Sequence, residues 1–286
     1  MATVGELVRA ARRRLPPALS GEAELLVAAA LGLDRAQVLA FPERAVDAAA
    51  ARRCLAWIGR RAAGAPLAYL TGRREFWGLE LEVTPATLVP RPETETLVAA
   101  ALARLPAGRP ARVADLGTGS GAVALAIARE RPEAELLATD RSEAALAVAR
   151  RNAARLGLAR VRFRAGDWCA ALAGEPPFDL IVANPPYVAL GDPALRADGV
   201  RHEPRAALAA GPDGLDAIRR IVHCAPAHLA PGGWLLLEHG ACQGAAVRAL
   251  LARRGLVAVE TLRDLAGLER VTGARRGETG DGVHEA

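Results

Sequence analysis

The residues in this chain best suited to chemistry stand together at Asn184-Pro185-Pro186-Tyr187. They follow the apolar run from Phe178 to Ala183, which reads as a short buried strand with Pro176-Pro177 before it and Pro185-Pro186 after it. An Asn at the last position of such a strand sits at the carboxyl edge, where open α/β sheets bind ligands. The two prolines fix the backbone, so the Asn184 amide and the Pro185 carbonyl are held in one direction. Tyr187 adds a ring. One amide, one carbonyl and one ring on stiff backbone make a clamp for a small planar group. The plainer alternative is a Pro-rich turn whose Asn caps the next helix.

A second group of residues asks for a different ligand. Gly117-Thr118-Gly119-Ser120-Gly121 joins the predicted strand from Arg112 to Leu116 to the helix from Ala122 to Arg129. Glycines there allow close backbone approach to a ligand, which the N–H groups at the helix start would face. Its G-x-G-x-G spacing departs from the dinucleotide pattern, and it lacks the Lys and Ser/Thr of a phosphate-binding loop. Asp140 ends the next predicted strand, at the distance where an acid meets ribose hydroxyls in nucleoside-binding α/β domains. Asp167-Trp168 ends the third, with a carboxylate for an adenine amino group and a face for stacking. Asp115, just before the glycines, can order the turn or reach a ligand amine. Each residue alone reads more readily as structural than as functional. Together at successive strand ends they describe a site for an adenosine that carries something other than a polyphosphate.

The elements that must position these groups are regular from Ala111 onward. Predicted strands 112–116, 134–139, 161–163, 178–183, 233–237, 256–261 and 268–272 alternate with helices, the last of them at 215–229 and 243–253. This alternation predicts a doubly wound, mostly parallel, seven-stranded sheet, the last strand closing it as a hairpin. Residues 1–73 carry helical periodicity and no strand pattern, with Ser20 as a helix start, Gly32 as a stop and a helix from Asp47 to Ala63. They read as a small helical bundle for docking or packing. Residues 74–91 read as a β-hairpin linker. Its first strand alternates from Phe76 to Val83, and Thr84-Pro85 turns the chain towards Thr87-Leu88-Val89. The segment Pro90-Arg91-Pro92-Glu93-Thr94-Glu95 then starts a helix, in which Arg91 and Glu93 serve either helix-end electrostatics or a site. The catalytic domain is expected at 92–275 and a polar, frayed tail at 276–286.

The whole chain sets outer limits. Its 286 residues suit one large α/β domain plus a smaller one. The formal charge is +5, and every basic residue is Arg, which excludes mechanisms that need a Lys amine. Arginines are spread along the chain apart from Arg12-Arg13-Arg14, so the basic balance reads as a solvated face rather than a nucleic-acid surface. Cys54, Cys169, Cys224 and Cys242 lie far apart with no C-x-x-C pair. That spacing predicts neither a zinc site nor a disulfide framework and suits a reducing cytoplasm. The histidines show no metal-ligand spacing, there is no secretory signal pattern at the start, and no apolar run approaches the length of a membrane span.

Asp115 to Gly121, Asp140, Gly166-Asp167-Trp168 and Asn184 to Tyr187 resemble, in that order, the class I S-adenosylmethionine-dependent methyltransferases that act on amide or amino nitrogens. Pro66 to Glu95 and His202 to Leu215 further resemble the bacterial N5-glutamine methyltransferases of peptide chain release factors, the HemK/PrmC type. The similarity runs from about Glu22 to Thr272. N-P-P-Y alone does not choose a substrate, because DNA adenine methyltransferases share it. The P-R-P-E-T-E segment separates this chain from the sister family that methylates a ribosomal protein glutamine and reads P-R-S-P there. Ala122-Val123 and Cys169 depart from the usual pattern without touching the proposed chemistry.

The resemblance implies a Rossmann-like class I fold, S-adenosyl-L-methionine as cofactor with S-adenosyl-L-homocysteine as product, and no metal. Cofactor contacts fall on Asp115, Gly117, Thr118, Gly119, Ser120, Gly121, Asp140, Asp167, Trp168 and Asn184. Substrate contacts fall on Arg91, Glu93, Asn184, Pro185, Pro186 and Tyr187. The implied reaction methylates the glutamine amide in the Gly-Gly-Gln motif of peptide chain release factors 1 and 2, in the cytoplasm, with no membrane and no direct nucleic-acid partner. A glutamine amide is a poor nucleophile because its nitrogen lone pair is delocalised into the carbonyl. Acceptors at Asn184 and Pro185 can orient both N–H groups, with Tyr187 packed on the amide plane. Orientation of this kind supplies about 7–11 kcal/mol of a barrier. A ribosomal protein glutamine and a nucleic-acid adenine N6 remain the alternative substrates.

Overall fold

The computed structural model describes residues 1–278, so the expected tail lies outside the described residues from 279 onward. The chain divides into two compact units, Met1–Arg73 with Arg196–His202, and Arg74–Leu195 with the chain from Glu203.

The first unit contains β1 (Ala2–Thr3), α1 (Val4–Arg14), α2 (Ala23–Leu31), α3 (Arg35–Ala40), β2 (Ala45–Val46), α4 (Ala48–Ala62) and α5 (Leu67–Thr71). Local chemistry explains most of the boundaries. Thr3 and Glu6 close a capping box on α1, as Asp34 and Gln37 do on α3. Asp47 caps α4, and Gly32 in the left-handed region ends α2. Val4, Leu7, Leu26, Val27, Cys54 and Ile58 form the centre of its core. Two expectations are corrected. The pairing of β1 with β2 is a short antiparallel bridge in a region read as strandless. Ser20 does not start a helix: its hydroxyl donates back to the Pro17 carbonyl at 2.8 Å inside a 3₁₀ turn, and α2 begins at Ala23. Arg196–His202 joins this unit because α4 ends in free carbonyls. The Gly199 amide donates to Gly64 O at 2.9 Å and Arg201 to Ala63 O at 2.6 Å.

The second unit, from Arg74, opens within the hairpin of β3 (Arg73–Phe76) and β4 (Leu79–Glu82). Its turn is Trp77-Gly78, not Thr84-Pro85 as expected. Both turn residues have positive φ, 52° and 66°, the backbone of a tight hairpin turn that follows the strand twist. Thr87 to Val89 is not a strand; the Val89 amide donates to a Glu203 carboxylate oxygen at 3.0 Å instead of to a ladder. Then follow α6 (Glu95–Arg104), β5 (Arg112–Leu116), α7 (Ala122–Glu130), β6 (Glu135–Asp140), α8 (Glu143–Arg155), β7 (Arg162–Ala165), β8 (Phe178–Ala183), α9 (Asp216–Cys224), β9 (Leu229–Glu238), α10 (Gly244–Arg253), β10 (Val257–Arg263) and β11 (Glu269–Arg275). The expected helix at 215–229 stops at Cys224 and tightens into a 3₁₀ turn carrying Pro226, which cannot donate to a continuing helix.

Among the described residues seven strands form one sheet in the order β10-β11-β9-β8-β5-β6-β7. The five strands from β9 to β7 are parallel, and β11 and β10 add an antiparallel edge. Period-two alternation sends Leu180 and Val182 of β8 to one core, with α6 and α7, and Ile181 and Ala183 to the other, with α9 and α10. Strands buried on both faces read as unbroken apolar runs, which is why the sequence shows no alternation there. The sheet order reverses between β5 and β8, so the loops after these two strands flank the switch point. No helix of the described residues is long and apolar enough to cross a membrane.

Candidate active site

The turn after β5 folds against the end of β6. The Gly117 and Thr118 amides both donate to the Thr139 carbonyl at 2.8 Å, and Asp140 accepts the Gly119 amide at 2.9 Å. Gly117, Gly119 and Gly121 have φ of 76°, 56° and 87°, a region that other residues occupy with strain. A Cβ on Gly119 would meet nothing within 4 Å, so this backbone is open for close approach. On Gly117 a Cβ would lie 3.1 Å from the Trp168 ring, which packs over the turn. Trp168 itself has φ of 48°. Such a conformation costs on the order of 1–3 kcal/mol, and here it brings the ring to the edge of the site.

Asp115 is buried beneath this turn and accepts the Thr118 hydroxyl at 2.7 Å. Burial pushes its carboxyl up to about 7; the Thr118 and Ala124 donors oppose that, and the Asp140 charge adds to it. Asp167 is paired with Arg220 of α9. Asp140 accepts the Gly119 amide through one oxygen and the Ser142 amide, at 2.9 Å, through the other, leaving a further lone pair on each. Asp115, Asp140 and Asp167 set carboxyl groups along this edge, with Arg141 and Arg220 on the same cavity.

Asn184 follows β8, and its Nδ2 donates to the buried Thr94 hydroxyl at 3.1 Å. The acceptor end of the amide is thereby left for a ligand. A cavity of about 430 Å³ is lined by Asp115, Gly117, Thr118, Gly119, Ser120, Asp140, Asp167, Trp168, Asn184, Pro186 and Arg91. Thr94 lines it too. That size fits a nucleoside-bearing ligand with room for a side chain. Gly121, Pro185, Tyr187 and Glu93 do not line it. Gly121 caps α7, where an added Cβ would press on Leu125. Pro185 is buried. The Tyr187 ring packs on the sheet core and its hydroxyl donates to Glu238 at 3.3 Å, so in this structure it supports the clamp from behind rather than covering a bound amide. Glu93 opens on a second pocket with Trp77 and Ala266.

Four residues escaped the sequence reading. Thr94 holds Asn184, Arg220 holds Asp167, and Glu203, itself buried, pairs with Arg91 and accepts the Val89 amide. Glu238 ends β9 and is fully buried. An acid closing the apolar run Trp234 to Leu237 at a strand end was the available signal for it. Cysteine spacing also misled: Cys169 and Cys224 form a disulfide, their Cα atoms 6.0 Å apart. Residues 55 apart in sequence meet because the turn after Trp168 and the end of α9 pack on one face of the sheet. Cys54 and Cys242 are free. No group of three or more His, Cys, Asp or Glu among the described residues could hold a metal ion.

Residues 94–197 match the family model of the methyltransferase small domain, and residues 6–72 that of the PrmC N-terminal domain. A release factor glutamine methyltransferase from Xylella fastidiosa is 55% identical over 254 residues, covering 89% of this chain and 92% of that protein. One from Pseudomonas aeruginosa is 52% identical over 272 residues, covering 95% and 98%. Among solved structures, a methyltransferase from Pyrococcus furiosus has a TM-score of 0.51 at 20% identity, covering 70% of this chain and 90% of that one, a likeness of fold.

Proposed function

This chain belongs to the release factor glutamine methyltransferase family, and from that premise we propose that it methylates the side-chain amide nitrogen of the glutamine in the Gly-Gly-Gln motif of class I peptide chain release factors. The observation that carries the chemistry is the Asn184 amide, pinned through Nδ2 with its oxygen end left to accept, at the strand end beside the glycine turn.

S-adenosyl-L-methionine supplies an electrophilic sulfonium methyl when bound, and S-adenosyl-L-homocysteine is its product. Asp140 and the Gly117–Gly121 turn would hold the ribose and the amino-acid part, Trp168 the adenine face, and the buried Asp115 a positive amine. Asn184 Oδ1 and the Pro185 carbonyl would accept the two N–H groups of the glutamine. Holding them restricts the amide nitrogen to one line of approach and draws electron density towards it. The amide nitrogen would take the methyl as the methyl's bond to sulfur breaks, and one N–H proton would then pass to water, so no base has to act first. Arg91, fixed by Glu203, lies on the same cavity and would meet the peptide around the glutamine. The helical first unit would recognise the body of the release factor.

The test is transfer of labelled methyl from S-adenosylmethionine to a release factor bearing its Gly-Gly-Gln loop, followed by peptide mapping. Label on that glutamine is the expected result. Label on a ribosomal protein glutamine or on adenine N6, with none on the release factor, would overturn this assignment.

A further inference from the structure

We propose that Thr94 and Glu238 are positioning residues for this reaction, fixing through a chain of hydrogen bonds which end of the Asn184 amide faces the substrate. The inference rests on the function proposed above.

An asparagine amide has a donor end and an acceptor end of nearly the same shape. Only the acceptor end can hold a substrate N–H; turned over, the amide would set its own NH₂ against the substrate's. Asn184 Nδ2 donates to Thr94 Oγ1 at 3.1 Å. A hydroxyl has one proton, so while Thr94 accepts from Asn184 its own proton must go to another group. Glu238 is the acceptor at hand. Ala183 pairs with Leu237 across the parallel strands β8 and β9, so Asn184 and Glu238 are the residues that follow directly opposed positions. Glu238 Oε1 takes the Tyr187 hydroxyl at 3.3 Å, and its Oε2 is buried without a hydrogen-bond partner, so it stands open to the Thr94 proton. With Glu238 ionised the chain runs from Asn184 to Thr94 to Glu238, and Asn184 Oδ1 is free for the substrate. With Glu238 protonated, its hydroxyl can donate to Thr94, Thr94 then donates to Asn184, and the amide turns over.

The groups facing Glu238 come from three directions: Thr94 and Glu93 before α6, Tyr187 after β8, and Arg270 on β11. Burial raises its carboxyl to about 7; Thr94, Tyr187 and Arg270 oppose the rise and Glu93 adds to it. The direction of the relay therefore changes near neutral pH.

The experiment has one arm without substrate and one with it. In the full-length protein, the Glu238 carboxyl is titrated by ¹³C NMR in wild type and in Thr94→Val. An upward move in the variant is expected, because a donor to the charged form is gone; no move overturns the proposal whatever the substrate proves to be. In the second arm, kcat on the release factor is followed against pH at saturating cofactor, with cofactor affinity measured by calorimetry. Thr94→Val should lose about 10–100-fold in kcat with cofactor Kd unchanged, and Thr94→Ser should restore turnover. Wild-type kcat should rise through pH 7, and Glu238→Gln should lack that rise. Wild-type turnover by Thr94→Val, or a rise retained in Glu238→Gln, overturns the proposal. Failure of wild type to label the glutamine counts against the function alone, since the titration arm still reports on the relay.

Discussion

Asp140 accepts the Gly119 amide at 2.9 Å across 21 residues of chain, tying the end of β6 to the turn after β5. Together with the Ser142 amide on its other oxygen, this contact shapes the turn before any ligand arrives. Asp140→Ala should therefore weaken S-adenosylmethionine binding twice over, by removing a ribose acceptor and by loosening the turn. Charge-assisted hydrogen bonds of this kind contribute about 1.5–3 kcal/mol each, so calorimetry should show Kd raised at least about tenfold to a hundredfold.

In the proposed reaction Asn184 orients the substrate and touches only the edge of the cofactor site. Asn184→Ala should leave cofactor affinity near wild type while kcat falls by about 10²–10³-fold, the usual cost of one oriented reaction-centre hydrogen bond. Single-turnover methyl transfer checks this. An unchanged kcat would show that the clamp does not act on the amide.

Asn152 is fully buried on α8 and joins three pieces of backbone. Its Oδ1 accepts the Glu82 amide at 2.7 Å, and its Nδ2 donates to the carbonyls of Glu82 at 3.0 Å and Ser120 at 2.9 Å. Asn152→Leu strands these groups without partners. Urea unfolding should show a loss of about 2–4 kcal/mol, with cofactor binding weakened as well because Ser120 lies in the glycine turn.

Three carboxyls set opposite pH dependences of stability. Glu175 is held down to about 2, chiefly by its hydrogen bond to Arg162, with Arg164 also contributing. Its folded pKa lies below the unfolded value near 4.5, so its contribution is present above that value and is lost as pH falls towards 2. Asp115 and Glu238 are both raised to about 7 by burial. Between about 4 and 7 the folded chain binds more protons than the unfolded one at these two sites, so their effect is to lower stability as pH rises through that window. On these three groups, thermal melts of the free protein should peak near pH 4 and decline towards pH 7. Glu238→Gln should flatten the decline towards pH 7, and a decline of wild-type slope in that variant would remove Glu238 from this account.

The fold was legible because its signals are local. Buried parallel strands read as apolar runs, glycines and prolines mark their ends, and alternation with helices requires a doubly wound sheet. Where local signals compete, the reading missed. Thr84-Pro85 looked like the hairpin turn, but Trp77-Gly78 takes the positive φ values that a tight hairpin needs. Ser20 looked like a cap, but its hydroxyl is spent on Pro17.

Taken by itself, the amino-acid order determined the sheet, its family and the residues that stand at its strand ends, since each of these depends on neighbours a few positions away. Only the tertiary structure decided what those residues touch. Thr94 and Asn184 are 90 residues apart, and Arg91 and Glu203 are 112 apart. Cys169 and Cys224 meet across 55 residues. Such pairings arise from strand order and from which face of the sheet each element packs on, and spacing along a chain carries no record of either. Tyr187 shows the consequence: its place in the motif was evident, but the direction of its ring was set by Glu238 on the neighbouring strand.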